Sequence, residues 1–582
     1  MFLKYKDADP KDTLHRIKST FAELNLNMVC QTEQHMNGVY TSTLTDPVCC
    51  WKTEGKGTDI PYCEASAYGE AMEHLCTHYA FDISTACLQA QEYGGFFRYP
   101  DEQKNAVMKI SEISPNILDD LREPFIHTGG SIPENRDILS LWEKILKTKT
   151  TTFVPYYDVN QDKEVLLPDA VLSKLCGTNG GGCGNTPEEA IGHALDEIIE
   201  RWSKYIIFSN RLTPPEVPDS FLQKRAPKLF QLKQEIEHQG NLRVLVLDGS
   251  LGKNYPVAIL AIIDWDARRY LVNFGCHPQF EIALERCFTE IFQDRKIVPE
   301  VLERKDMSVW GDFDRDKIFS QCNWAKLLED DLGLWPEEFF AITPSWTFQE
   351  WPVYKNYSNK IGLQIQIEHL RRDGAEIFIR NLSFLGFPVF KVYIPQISTS
   401  HILFKDDILF DLDVIKNIRP FLAGILSKTD MRSFGDRLFG HESILGRMFF
   451  YSLTNEEFDL LHAAFLMEYG TLNEAYNMIC HWNGPCAYAV CRIMEMSSTM
   501  SVARAEDCAK RFCSQEAMDY AIDFFSEHPF PKILARYGFN SNSRKSMSRD
   551  HFCQERGDLL MRIKNYMMLH PVDQMSIKKS II

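Results

Sequence analysis

The sequence predicts an α+β protein in two parts, a mixed helix–strand unit over residues 1–436 and an all-helical unit over residues 437–582. Three observations point there. In the first part, capped helical segments alternate with short strand-like runs. After about residue 437 those runs stop and apolar residues recur at helical spacing. The composition, 45% hydrophobic and 25% charged over 582 residues, is that of a globular chain able to bury a full core.

In chain order, residues 10–25 read as an amphipathic helix, with Leu14, Ile17, Phe21 and Leu24 on one face. Residues 38–51 have the alternation and turn residues of a strand pair. Glu54-Gly55-Lys56-Gly57 reads as a glycine-rich turn. A helix starts at Asp59-Ile60-Pro61, with Asp59 as N-cap and proline in the first turn. Residues 176–184, CGTNGGGCG, are the densest glycine cluster in the chain. A second helix follows, where Thr186 and Glu189 have the spacing of a capping box. Residues 242–248, 256–263 and 270–274 read as strands, 280–292 as a third helix, 308–350 as irregular and aromatic, and 359–395 as strands. The later stretch LLHAAFLMEYGTLNEAYNMI has the small residues and central glycine of a helix hairpin. One tetratricopeptide-like unit and a plain helical domain are equal readings of it. The polar GFNSNSRKSMSRD is expected to be a loop before a last helix.

The net charge of −17 argues against free nucleic acid or an anionic membrane as the main partner. The 17 cysteines are irregularly spaced without a CxxC pair, which disfavours zinc-finger and thioredoxin-like readings. The charged start excludes a secretory signal there, and no apolar run reaches the ~20 residues of a membrane span. Reduced thiols and a cytoplasmic location are expected.

Two helices carry the chemistry. Ser66, Glu70 and Glu73 follow SxxxExxE, which sets all three on one helix face. Their neighbours are small or apolar, so the face is either a solvated stripe or a ligand set. On the second helix, Glu200 falls about 20° and Glu197 about 80° from Glu189, with Arg201 at the border. Capping explains Glu189 but not Glu197, Glu200 or Arg201. Converging carboxylates would repel unless cations sit between them or their pKa values rise. Magnesium takes oxygen ligands and is commonly shared with phosphates. The glycine cluster, at a helix N-terminus, is placed to offer backbone N–H groups to phosphate. It is neither a GxxxxGK[ST] loop nor a GxGxxG fingerprint.

Three segments, in order, resemble those of the YcaO family. EGKGTDIPYCEASAYGEAMEHLCTH (54–78) is similar to its NGKG…ASAxGExxER segment. TNGGGCGNTPEEAIGHALDEIIERW (178–202) is similar to its SNGxxAGNTxxEAxxxxLxExxER segment. Residues 247–295, with DGSLG, YPV, FGCHP and ALER, resemble its third segment and point to the stand-alone bacterial branch. That branch is described as an accessory to methylthiolation of a small-subunit ribosomal protein by a radical-SAM methylthiotransferase. Other branches make azolines or thioamides in ribosomal peptides.

The resemblance implies a YcaO-type ATP-binding domain and ATP and Mg2+ as cofactors. It implies Glu70, Glu73, Glu189, Glu197 and Glu200 as metal ligands. Lys6, Thr13, Ser66, Gly182, Asn185, Arg201, Arg286 and Glu290 would contact nucleotide. Three positions depart from the pattern: His74 for Arg, Glu54 for Asn, and Gly182 where the branch has a nucleotide-contacting Ser. The ending DQMSIKKSII lacks the proline-rich C-terminus of azoline formers. The implied reaction is ATP-dependent activation of a peptide or protein backbone amide. An azoline- or thioamide-forming modifier of a ribosomally made peptide and a non-catalytic ATP-binding adaptor are the alternatives, and a homodimer is expected.

Overall fold

Three antiparallel sheets and the helices between them form the part of the chain that holds the candidate site. The computed structural model describes, apart from short gaps, residues 6–77, 98–103, 113–126, 152–291, 315–399, 421–439, 455–537 and 550–581. The chain divides into two units, one of residues 1–405 and 554–582, the other of residues 406–553.

In the first unit, helix α1 (Pro10–Glu23) is capped by Asp9, whose side chain accepts from the Lys11 amide, and buries Leu14, Ile17 and Phe21 as expected. The first sheet has the order β1 (Val29–Met36), β2 (Val39–Asp46), β3 (Trp51–Gly57). The expected strand pair over 38–51 is thus corrected. Only β2 lies wholly inside it, and β3 takes in the supposed turn at 54–57. Those glycines serve the close passage of helix α2 (Ile60–Cys76). A Cβ on Gly55 would meet the Ala67 amide nitrogen at 2.3 Å, and one on Gly57 the Cys63 nitrogen at 2.6 Å. Asp59 caps α2, accepting from the Tyr62 amide, with proline in the first turn.

The second sheet has the order β5 (Lys163–Leu167), β4 (Val154–Asp158), β10 (Phe378–Asn381), β11 (Val389–Tyr393), β6 (Gly181–Cys183). The third is β7 (Leu242–Asp248), β8 (Val257–Asp264), β9 (Arg269–Cys276), matching the three predicted runs. Between the second and third sheets runs α3 (Pro187–Ser209). Ile191, Ala194, Leu195, Ile198 and Ile199 of α3 share one core with Val392 of β11 and Phe274 of β9. The far face of the third sheet packs on two short helices (Asp219–Arg225 and Pro227–Glu237) and on α4 (Phe280–Glu290).

Residues 359–395 are not all strand. Asn359–Arg372 is helix α5, capped by Ser358, and only β10 and β11 follow. Its apolar residues alternate in sequence, as Ile361, Leu363, Ile365 and Ile367. Burial instead follows the helical period through Gly362, Leu363, Gln366, Ile367 and Leu370, where α5 lies on α3. The chain end returns to this unit. Gln574 is buried, accepts from the Asn381 amide at 2.7 Å and donates to the Asn381 carbonyl at 3.0 Å. The unit boundaries therefore differ from the expected break at 436/437, because residues 554–582 belong with the mixed unit.

The elements among the described residues of the second unit are helices. Asn455–Tyr469 and Leu472–Ile479 form the predicted hairpin, with a reciprocal capping box between Thr471 and Glu474. Helices at Pro485–Ser497, Val502–Ala509, Gln515–Phe524 and Pro529–Arg536 follow. Phe421, Phe434, Phe439, Phe465 and Phe530 centre its core. The predicted polar loop falls at 538–550, of which residues 538–549 lie outside the described residues.

Candidate functional site

The glutamate faces of α2 and α3 open on one cavity of about 930 Å³. α2 supplies Ser66, Glu70, Glu73 and His74; α3 supplies Glu189, His193, Glu197, Glu200, Arg201 and Lys204; and α4 supplies Glu285, Arg286 and Glu290. Lys6, Thr13, Lys56, Asn185 and Asp331 complete the wall on other sides. Every candidate residue predicted from sequence lines this space except Gly182.

Gly182 is a correction with a steric reason. It lies in β6 opposite Phe390, where β6 crosses α3. A Cβ there would sit 2.2 Å from the Ala190 carbonyl oxygen and 2.7 Å from the Ala194 nitrogen. The Cβ direction at Gly182 points into the helix, and Gly182 does not line the cavity. Three amides of the glycine cluster already have acceptors. The Gly180 amide donates to Glu197 at 3.2 Å, Gly181 to the Thr178 carbonyl at 2.9 Å, and Gly184 to the Pro388 carbonyl at 3.1 Å. Two of these acceptors are backbone carbonyls, and the third, Glu197, lines the cavity.

The Glu189 capping reading is corrected in half. The Thr186 hydroxyl accepts from the Glu189 amide at 3.2 Å, as in a capping box. The Glu189 carboxylate turns elsewhere. It accepts from the Asp7 amide at 2.9 Å, pairs with Lys6 at 3.2 Å, and accepts from the Asn185 amide group. Thr13 donates to Asn185 Oδ1 at 2.7 Å. The residues before α1 are thus fastened to the start of α3, which brings Lys6 and Thr13 to the cavity. Burial pushes the Glu189 carboxyl up, but Lys6, the Asp7 amide and Asn185 together hold it below its ordinary range.

Four carboxylates of the cavity, Glu70, Glu73, Glu200 and Glu285, shift the opposite way. Burial, then Glu197 and Glu70, push Glu73 up to about 8. Burial and Glu290 push Glu200 up to about 8. Burial pushes Glu70 and Glu285 up to about 7 against the pull of Lys56 and Arg286 respectively. Glu197 is paired with Arg201 at 2.7 Å. Lys56 is ion-paired with Glu290. His74, 3.9 Å from Glu70, is drawn down to about 4 by burial and stays neutral where the family pattern has a fixed positive charge.

Among the described residues no three His, Cys, Asp or Glu side chains already converge in metal-holding geometry. The donor set still fits magnesium. It is all oxygen, and Mg2+ typically keeps several waters and takes one or two carboxylates with phosphate oxygens. The raised pKa values of Glu70, Glu73 and Glu200 come first from burial and then from like charge, and a bound cation would offset both.

The match to the model of the YcaO cyclodehydratases, described as ATP- and Mg2+-binding, spans residues 54–398. This chain belongs to the YcaO family. An uncharacterized protein of Haemophilus influenzae is 25% identical over 70% of this chain and 68% of its own length. Ribosomal protein S12 methylthiotransferase accessory factor YcaO of Escherichia coli K12 is 26% identical over 68% of this chain and 66% of its own length. A solved heterocyclase in complex with substrate and cofactor aligns with a TM-score of 0.46 at 18% identity, covering 68% of this chain and 54% of that one. ATP and Mg2+ are the cofactors of the family and of this chain.

Within this YcaO domain, several lining residues escape sequence reasoning. Lys204 lies four positions after Glu200 on the face already singled out, so helix spacing could have found it. Its ammonium donates to the Leu327 carbonyl at 3.1 Å and pairs with Asp331. Lys56 stands inside the EGKG signature. Asp331 comes from the irregular region and carries no sequence signal. No helix among the described residues is long and apolar enough to cross a membrane.

Proposed function

We propose that this chain uses ATP to activate a backbone amide of a peptide or protein. The single observation that carries this reading is one cavity lined by the glutamates of α2 and α3 together with Arg201, Arg286 and Lys6. In this reading a nucleophile adds to the substrate amide carbon, and the resulting oxyanion attacks the terminal phosphorus of ATP. The P–O bond to ADP breaks, and phosphate later leaves with the former amide oxygen. Glu70, Glu73, Glu189, Glu197 and Glu200 would hold magnesium, which would supply charge compensation for the phosphates. Ser66, Thr13, Asn185 and Glu290 line the same space as nucleotide contacts. Arg201 and Arg286 offset charge that builds as the phosphoryl group moves, and the protein contributes position and electrostatics.

The relative named Ribosomal protein S12 methylthiotransferase accessory factor supports a reading of the substrate. A segment of a small-subunit ribosomal protein is the substrate we propose, with a radical-SAM methylthiotransferase as partner and a cytoplasmic homodimer as the working form. The helical unit is proposed as a tetratricopeptide-like surface for protein contact. The test is isotopic. A substrate peptide with 18O in its amide, incubated with ATP and Mg2+, should yield 18O-labelled phosphate. Phosphate labelled only from water would contradict amide activation and leave an ATP-binding adaptor.

A further inference from the structure

One buried carboxylate on α3 lies behind the cavity-lining Arg286 and belongs to neither glutamate set. Asp196 is 3% exposed. Its Oδ2 accepts from Arg286 Nη1 at 2.8 Å, and the same nitrogen donates to the Cys276 carbonyl at 2.6 Å. Its Oδ1 accepts from Gln366 Nε2 at 2.5 Å, and Gln366 is 1% exposed on α5. Three elements thus meet on one guanidinium: α5 holds Asp196, Asp196 holds Arg286, and the end of β9 holds it from the other side. An arginine at a cavity wall has several rotatable bonds, and ordering it costs rotamer entropy. Charge-assisted hydrogen bonds to buried acceptors settle that cost before a ligand arrives.

We infer that Asp196, held in turn by Gln366, is the positioning residue for Arg286, fixing its guanidinium for the nucleotide phosphates. The inference rests on the reading of Arg286 as a phosphate contact. Asp196 touches no ligand in this account and acts only through the arginine. Nor is it grouped with the metal-binding glutamates, since both its oxygens are taken by Arg286 and Gln366 and it does not line the cavity.

The test is a double-mutant cycle on the full-length chain. A non-hydrolysable ATP analogue with Mg2+ is titrated calorimetrically into the parent, Asp196→Asn, Arg286→Ala and the double variant. Partners that orient a ligand-binding group commonly cost 10–100-fold when removed. Asp196→Asn should therefore weaken binding by about 10-fold, and in the Arg286→Ala background it should have no further effect. A merely structural aspartate would give the same loss in both backgrounds, and that additive result overturns the inference while leaving Arg286 at the nucleotide. Arg286→Ala binding like the parent would overturn both the inference and that assignment. Gln366→Leu keeps the test open should Asp196→Asn fail to fold. It should weaken binding several-fold when Arg286 is present and not when it is absent. Equal loss with and without Arg286 would again contradict the inference.

Discussion

Glu189 separates a structural from a functional glutamate at the scale of one residue. A capping glutamate could be replaced by glutamine almost without cost, since both reach the N-cap amide. The structure instead has its carboxylate gripped by Lys6, the Asp7 amide and Asn185. Glu189→Gln should therefore destabilise the protein by about 1–3 kcal/mol, read as a lower Tm, because charge-assisted bonds are lost at a buried site. It should also loosen the residues before α1. A Tm equal to that of the parent would restore the capping reading. A second outcome at this scale concerns pH. Glu70, Glu73 and Glu200 have folded pKa values raised to about 7, 8 and 8. Their protonated forms favour the folded state, a contribution complete below the ordinary glutamate range and lost as pH rises through 7–8. Thermal stability without metal should fall between about pH 4.5 and 8, and Mg2+ should stabilise more at the upper end, where it no longer competes with protons. Stability that rises over that range in the metal-free protein would contradict the shifts. The faces of α2 and α3 were legible because helical spacing is periodic. The partners of Glu189 were not, since they lie 4 to 183 residues away along the chain.

At the scale of elements, glycine was the least legible residue. Gly55, Gly57 and Gly182 were read as turn or ligand-loop residues, but each sits in a strand where a helix passes too close for a side chain. Sequence shows that a side chain is missing and not what occupies its place. Gly182→Ser should cost about 1–3 kcal/mol, since the new Cβ would force β6 from the backbone of α3, and should lower Tm measurably. An unchanged Tm would mean that the crossing is looser than described. Helix α5 was misread for a related reason. Its apolar residues alternate as in a strand, and the helical period shows only once Gln366 and Gly362 are known to be buried. The capped helices α1, α2 and α3 and the strands β7, β8 and β9 were legible because caps and apolar runs are local signals.

For the whole molecule, the return of residues 554–582 to the mixed unit is what no local signal could show. Gln574 and Ile577 are buried there. Ending the chain at residue 405 should cost about 3–5 kcal/mol, from the lost hydrogen bonds and apolar burial. Replacing residues 406–553 by a flexible linker should keep nucleotide binding, because every residue of the cavity lies in the other unit. Urea denaturation and nucleotide titration of both variants check this, and equal stability in the two would contradict it. The central claim is that the cavity binds ATP through magnesium held by glutamates of two helices. Calorimetric titration of a non-hydrolysable ATP analogue, with Mg2+ or with EDTA, tests it on the parent, Glu73→Gln and Glu200→Gln. The account predicts binding by the parent only with Mg2+ and a loss of at least about 10-fold in each variant. Equal affinity in EDTA, or folded variants that bind like the parent, would contradict it.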